Sequence, residues 1–202
     1  MPLNKEEYSG LNTLIPSSGK LIKDFSRATK VIQVREHEKF RWLYTGGLAI
    51  QSLITIDNPA QVLLPVNKAL LLGALWTSSS GHILNLGMGG GTIERALMNS
   101  SFKLTSVESE QAVIDIAQTY FALPEQTNIV HACALNFLSQ NTQKQDLIIA
   151  DLFQSETMPA FVYSANFYQE LRNSLSENGT VMINMYPKNN EDMHQAVQRE
   201  SK

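Results

Sequence analysis

The stretch HILNLGMGGGT (82–92) reads as a buried strand that breaks into a glycine loop and then opens a helix. Residues 82–87 form a short apolar run of strand length. Gly87 permits a sharp turn at its end. Gly89, Gly90 and Gly91 let the backbone approach a ligand with no Cβ in the way, and the start of the following helix, Thr92–Met98, offers unpaired N–H groups. A flexible turn ahead of a helix is the plainer reading of the same residues.

Outward from this loop the pattern repeats. FKLTSVE (102–108) is a strand. Glu110–Phe121 is an amphipathic helix with Val113, Ile114, Ile116, Ala117 and Phe121 on one side, closed by Pro124. TNIVHA (127–132) is a strand, Leu135–Ser139 a short helix, and DLIIAD (146–151) an apolar strand ending in an acid. Ala165–Leu175 is helical, Asn178-Gly179 a turn, and TVMINMY (180–186) another strand. Strands alternating with helices, and apolar along their length, predict an α/β fold. Its core is a doubly wound, mostly parallel sheet covered on both faces.

Residues 1–62 read differently. KVIQVREHE (30–38), FRWLYTG (40–46) and LAIQSLITI (48–56) are short and rich in β-branched and aromatic residues, with Gly46-Gly47 as a turn signal. They predict a small N-terminal antiparallel β-domain. Asp57-Asn58-Pro59 marks the break, and the second unit runs over 63–202. It begins with a helix over 66–77 whose core candidates are Ala69, Leu70, Leu72 and Trp76. Asn189–Lys202 is polar and suits one more amphipathic helix. A doubly wound sheet commonly continues past that point, so the chain is either a reduced version or a truncated piece of a longer protein.

Composition narrows the function. Of 202 residues, 43% are hydrophobic and 17% charged, which is globular. The net charge is −3 with no basic block, so counterion-driven nucleic-acid binding has no support. The single cysteine, Cys133, fits a reducing compartment. The N-terminus has no signal-peptide h-region, and the most apolar run, 62–76, is broken by Pro65, Asn67 and Lys68. The expectation is a cytoplasmic protein acting on a small molecule, with no nucleic acid and no membrane; a homodimer stays open.

Glu108 gives the glycine loop a purpose. It ends the next strand, 21 positions after Gly87, where a carboxylate holds the two hydroxyls of a ribose. Its other reading is a surface glutamate that caps the helix starting at Glu110. Together with the loop it points to an adenosine-bearing ligand. The spacing G-x-G-G-G favours S-adenosylmethionine over dinucleotides.

SVESEQAVIDIAQTYFALP (106–124) resembles the corresponding segment of spermidine synthases and their relatives. So does 146–185, where Asp146, Asp151, Pro159, Phe167, Tyr168, Leu171, Leu175 and Gly179 fall in place. LYTGGLAIQS (43–52) is similar to the family's small β-domain. The glycine loop and Leu152-Phe153 look most like the divergent branch of the family. The resemblance implies a methyltransferase-like Rossmann fold that binds S-adenosylmethionine or its decarboxylated form. It also implies a catalytic base at Asp151, a donor site including Ser109, Cys133 and Ala134, and an acceptor side including Gln51 and Gln154. The departures are specific. Gly90 and Gln154 stand where the family has aspartates, and Cys133 where an aspartate reads the adenine. Ala28-Thr29-Lys30 replaces a Tyr-Gln pair, and VNKA (66–69) replaces a Tyr-His-Glu stretch. A dicationic polyamine needs several carboxylates to offset its desolvation, so these losses argue against authentic spermidine synthesis. The reading is a transferase with an unassigned acceptor. The alternative is a non-catalytic relative that keeps the nucleoside pocket as a binding or scaffold module.

Overall fold

The computed structural model describes residues 14–28, 30–153 and 157–185. The helix expected over 189–202 lies outside them, as does Gln154. Four antiparallel strands come first: β1 (Lys20–Asp24), β2 (Gln33–His37), β3 (Phe40–Tyr44) and β4 (Ser52–Thr55), paired in sequence order. Next come α1 (Pro65–Leu71) and a 3-10 turn over 72–76. The second sheet alternates with helices: β5 (His82–Leu86), α2 (Thr92–Leu97), β6 (Lys103–Glu108), α3 (Gln111–Tyr120), β7 (Asn128–His131), α4 (Ala134–Gln140), β8 (Gln145–Ala150), α5 (Ala165–Ser174) and β9 (Leu175–Ile183). Its order is β7-β6-β5-β8-β9, with every pairing parallel.

Both faces of this sheet are buried, which is why its strands read as unbroken apolar runs. Ile83, Leu147 and Ile149 pack on one face with Leu70 of α1 and Ile93 of α2. Leu84, Leu86, Ile148 and Ala150 pack on the other with Leu138 of α4 and Phe167 and Leu171 of α5. The small sheet is also covered on both sides. Phe40, Trp42 and Leu53 pack with Leu63, while Val34, Leu43 and Ile54 pack against Val113, Ile116 and Phe121 of α3. Helix α3 is thus the shared wall between the two sheets. Arg41 reinforces it by donating to the Tyr120 carbonyl at 2.9 Å. All five residues expected on its apolar side are buried.

Three details differ from the sequence reading. First, of the core candidates in the 66–77 helix only Leu70 is buried; Ala69, Leu72 (49% exposed) and Trp76 (70% exposed) are not. The α-helix stops at Leu71 and tightens to 3-10 geometry, which turns later residues off the 3.6 period. Gly73 takes the sheet-facing place, and a Cβ there would overlap the side chains of Leu147 and Met182. Second, β1 was not foreseen: KLIKD is mostly exposed and carries three charges. Third, Asn178-Gly179 is an irregularity inside β9, where the pairing with β8 jumps from Leu175 to Thr180.

Helix α2 carries two consecutive buried charges. Glu94 is 2% exposed and accepts from Asn85 Nδ2 at 2.8 Å and from the Ser106 hydroxyl. Its Oε2 has no partner. Burial pushes its carboxyl above the usual range, against the opposing pull of Ser106, Asn85 and Arg95. Arg95 donates to the carbonyls of Pro59 (2.8 Å), Phe121 (2.7 Å) and Gly90. It therefore ties the chain ahead of α1, the end of α3 and the glycine loop together. Burial lowers its pKa to about 10.

A folded-state pKa raised above the unfolded value makes Glu94's contribution to stability full below about pH 4.5. That contribution fades as pH rises through the folded pKa. Glu94→Gln keeps a neutral side chain of the same shape, so at pH 7 its stability equals or exceeds that of the parent, and its stability falls less between pH 5 and 8. Glu94→Ala leaves Asn85 and Ser106 without their acceptor, at about 1–3 kcal/mol each. Urea unfolding of both variants across this pH range checks the signs; a Glu94→Gln protein less stable than the parent at pH 7 contradicts them.

Candidate active site

Strand register sets the site. Leu86 of β5 pairs with Val107 of β6 on one side and with Ala150 of β8 on the other. Gly87, Glu108 and Asp151 each lie one residue further along. Three chain segments therefore bring a glycine and two carboxylates to one level at the carboxyl edge of the sheet. There the chain leaves neighbouring strands in opposite directions, which opens a crevice. A one-residue slip in either pairing would displace an acid from this row.

Gly87 is held tightly. Its amide donates to the Val107 carbonyl at 2.9 Å, and the Asp151 amide donates to Leu86 at 2.9 Å. Its φ is +90°, and a Cβ would overlap the Asp151 carbonyl. Only glycine fits both constraints. The loop then turns toward Glu108, whose Oε2 accepts from Met88 and Gly89 N–H at 3.2 and 3.3 Å. Glu108 Oε1 accepts from the Glu110 N–H at 3.0 Å, so the helix-capping alternative for Glu108 is present. A carboxylate has about four lone-pair positions; three bonds leave room for one more donor.

Asp151 is in a different setting. It takes one side-chain bond, from Asn184 Nδ2 at 2.8 Å. Burial raises its pKa from the ordinary value, and the Asn184 bond opposes this more weakly. Asn184 follows β9 and is pinned by its own N–H to Ala150 at 2.9 Å. The sequence reading missed it; the signal was a lone amide inside the apolar run TVMINMY.

These residues line one cavity. Its first wall is the sheet edge, with Gly87, Met88, Gly89, Glu108, Ser109, Cys133, Ala134 and Asp151. Its second wall comes from the small sheet and α1: Thr45, Gln51, Ser52 and Asn67, with Lys30 ion-paired to Glu110. Leu152, Phe153 and Phe161 complete it. Gly90 and Gly91 are not on the wall. The Gly90 N–H donates to Ser52 Oγ at 2.7 Å, and a side chain at 90 would meet Ser52 and Phe121. Gly91 packs under Leu123. These two glycines serve packing against the protein, contrary to their expected contact with a ligand. His131 lies at the strand end with its ring against the Ser109 carbonyl at 3.1 Å and does not line the cavity.

Comparison with known proteins assigns the chain to a family. The spermine/spermidine synthase domain model matches residues 72–202. The chain belongs to that family. It is similar to the polyamine aminopropyltransferase of Chromobacterium violaceum, 26% identical over 160 residues that cover 77% of this chain and 61% of the relative. Its similarity to the Neisseria meningitidis polyamine aminopropyltransferase is 27% identity over 161 residues, with the same two coverages. The chain thus spans about three fifths of the length of the curated relatives it matches. Among solved structures, spermidine synthase from Thermotoga maritima aligns with a TM-score of 0.65 at 19% identity, over 90% of this chain and 63% of that one. Human methyltransferase-like protein 13 in complex with SAH aligns with a TM-score of 0.60 at 17% identity, over 68% and 72%. These show the fold expected for the family: a methyltransferase-type sheet preceded by a small antiparallel one. No helix among the described residues is long and apolar enough to cross a membrane.

Two substitutions separate the roles of the acids. Glu108 accepts from three backbone N–H groups although it ends a strand at the sheet edge, so Glu108→Gln costs about 1–3 kcal/mol of stability, read from urea unfolding. Asp151 has the opposite sign. Because burial raises its pKa, the ionised form is disfavoured by folding, and the contribution to stability is lost as pH rises from 3.8 through the folded pKa. Asp151→Asn therefore melts at the same temperature as the parent or higher at pH 7. The difference shrinks as pH falls below 4. A melting temperature lower at pH 7 would show that Asp151 is needed as an anion.

Proposed function

We propose that the cavity binds S-adenosylmethionine or its decarboxylated form and that the protein is a spermidine synthase-like transferase. One observation carries the reading. The row of Gly87, Glu108 and Asp151 puts an acid with spare acceptor capacity and a poorly solvated acid on one wall, with the glycine-rich loop between them. The residues fit the ligand. Glu108 retains acceptor capacity for a ribose hydroxyl, Gly87 and Gly89 leave backbone clearance on the wall, and Cys133 and Ala134 offer a small apolar surface for a purine.

The bound sulfonium supplies an electrophilic carbon that is transferred with loss of a neutral thioether. The acceptor's lone pair forms the new bond to that carbon, and the carbon–sulfur pair leaves with sulfur. Asp151 takes the proton the acceptor sheds. A carboxylate whose pKa is raised by burial is a stronger base than one in water. Asn184 holds Oδ1, leaving Oδ2 for the incoming proton. Glu108 and the loop hold the nucleoside and do not take part in proton transfer.

Titration calorimetry with S-adenosylmethionine, its decarboxylated form and methylthioadenosine tests the reading. All three bind, and Glu108→Gln weakens each by about 1–3 kcal/mol. Gly90 and Gln154 replace acids that the resemblance places near the donor's tail, and the packing around Gly90 admits no side chain there. Preference for the decarboxylated form is therefore below a hundredfold, which is about 2.7 kcal/mol. With an acceptor found, Asp151→Asn lowers turnover by about 10²–10⁴ and leaves nucleoside affinity intact. Absence of binding by all three ligands refutes the proposal. Binding without transfer to any amine, thiol or hydroxyl replaces it with the binding-module reading.

A further inference from the structure

Register extends the row of the site by one strand. Ala150 of β8 pairs with Ile183 of β9. Asp151 and Asn184 therefore stand side by side, each one residue past the last paired position, as Gly87 and Glu108 do. The Asn184 N–H donates to the Ala150 carbonyl at 2.9 Å, which carries the ladder past the end of β9. With its backbone held, the side chain reaches across, and Nδ2 donates to Asp151 Oδ1 at 2.8 Å. Asp151 lines the cavity and Asn184 does not. The amide meets the site only through the carboxylate it holds.

That carboxylate has few other restraints. Gly87 lies against its backbone carbonyl, and Leu152 and Phe153 follow it in the chain. Among the described residues, no other group donates to its side chain. The charged groups of the same cavity are engaged elsewhere: Glu108 with three backbone N–H groups, Lys30 and Glu110 with each other. Burial raises the proton affinity of Asp151, and the Asn184 bond opposes it. The terminal torsion of an aspartate is broad and roughly two-fold, so an unheld carboxyl is free to present either oxygen. A base must lie within hydrogen-bond reach of the proton it takes. We infer that Asn184 is a positioning residue for the transfer: it acts through Asp151, holding Oδ1 at the end of β9 so that Oδ2 is the oxygen presented to the acceptor. This rests on the transferase reading for its reaction, but the hold on the carboxylate can be measured without turnover. An amide that merely ties β9 to β8 would leave the titration of Asp151 where it is.

The test reads the Asp151 carboxyl directly. The full chain is labelled with carbon-13 aspartate, the Asp151 signal is assigned by its loss in Asp151→Asn, and its titration is followed by NMR. Asn184→Leu, similar in size and without a donor, moves the Asp151 midpoint upward by about one pH unit. The signal of Asp146, which accepts from the His82 N–H and the Ser176 hydroxyl instead, does not move. Asn184→Asp keeps the shape and sets a second carboxyl against the first, so the two share a proton and titrate in separated steps. This variant decides the matter if Asn184→Leu fails to melt cooperatively. Methylthioadenosine affinity, by calorimetry, stays within about twofold in both. With an acceptor found, the acid limb of the kcat profile in Asn184→Leu moves up with the midpoint, and KM for the donor holds. The inference is overturned if the midpoint in folded Asn184→Leu stays within about 0.3 unit of the parent, or if the two acids of Asn184→Asp titrate independently. An acid limb that stays put while the midpoint moves overturns it too. So does a loss of methylthioadenosine affinity in Asn184→Leu as large as that in Glu108→Gln, which would assign Asn184 to the nucleoside. Failure of the nucleoside reading looks different: methylthioadenosine gives no heat, while the Asp151 midpoint still moves and the hold on the carboxylate stands.

Discussion

The backbone of Gly87 lies so near the carbonyl of Asp151 that an added Cβ would overlap it. Strand β5 is flanked by β6 and β8, and the peptide that leaves it must pass between their ends. Its amide is taken by Val107, its neighbour's carbonyl by Asp151, and the space left holds no Cβ. The remaining geometry follows from this passage. The loop is turned toward Glu108, which collects the N–H groups of Met88 and Gly89 and also that of Glu110. Glu110 starts α3, and α3 is the surface on which the small sheet rests. The position of the second cavity wall is thereby traced back to a glycine in the first.

Glu108 and Asp151 are carboxylates at the same level of one sheet, yet their surroundings give them different chemistry. Glu108 is surrounded by backbone donors and acts as an acceptor of hydrogen bonds. Asp151 has a single amide donor and a buried carboxyl whose proton is held more firmly than in water. Environments that set two acids apart assign them different tasks. Glu94 extends the pattern below the site, where a buried carboxyl with two hydrogen-bond donors and an unpaired oxygen supports the strands β5 and β6. Its neighbour Arg95 satisfies three carbonyls at once, including that of Gly90. The loop is thus fixed from the sheet side by Glu108 and from the helix side by Arg95.

The parallel sheet was legible because each strand buries both faces and therefore shows an unbroken apolar run, and α3 because its five apolar residues keep the helical period. Where period fails, the reading failed with it. Strand β1 is held by pairing with β2 and buries almost nothing, so KLIKD has no pattern to show. The 3-10 turn after α1 shifts Leu72 and Trp76 outward, and no local residue announces the change. Glu94 and Arg95 look like an exposed face of a short helix. The clue to their burial was Asn85, a polar residue in the middle of HILNLG that needs a buried partner.

The two cavity walls differ in how sequence encodes them. The sheet-edge wall depends on register, and register is written in each strand's own apolar residues. Gly87, Glu108 and Asp151 stand one residue past paired strand positions for that reason. The second wall depends on docking: Thr45 and Gln51 flank a loop between β3 and β4, and Asn67 comes from a helix of seven residues. They meet the cavity only because α3 and the Ser52–Gly90 bond hold the small sheet against the large one. Side chains on that wall can therefore change without disturbing the strand register that sets the first. In a fold built this way the sheet-edge wall stays fixed by the core, while the docked wall is free to vary in charge. Among the described residues, Thr45, Gln51, Ser52 and Asn67 of that wall carry no charge, whereas the sheet edge carries Glu108 and Asp151.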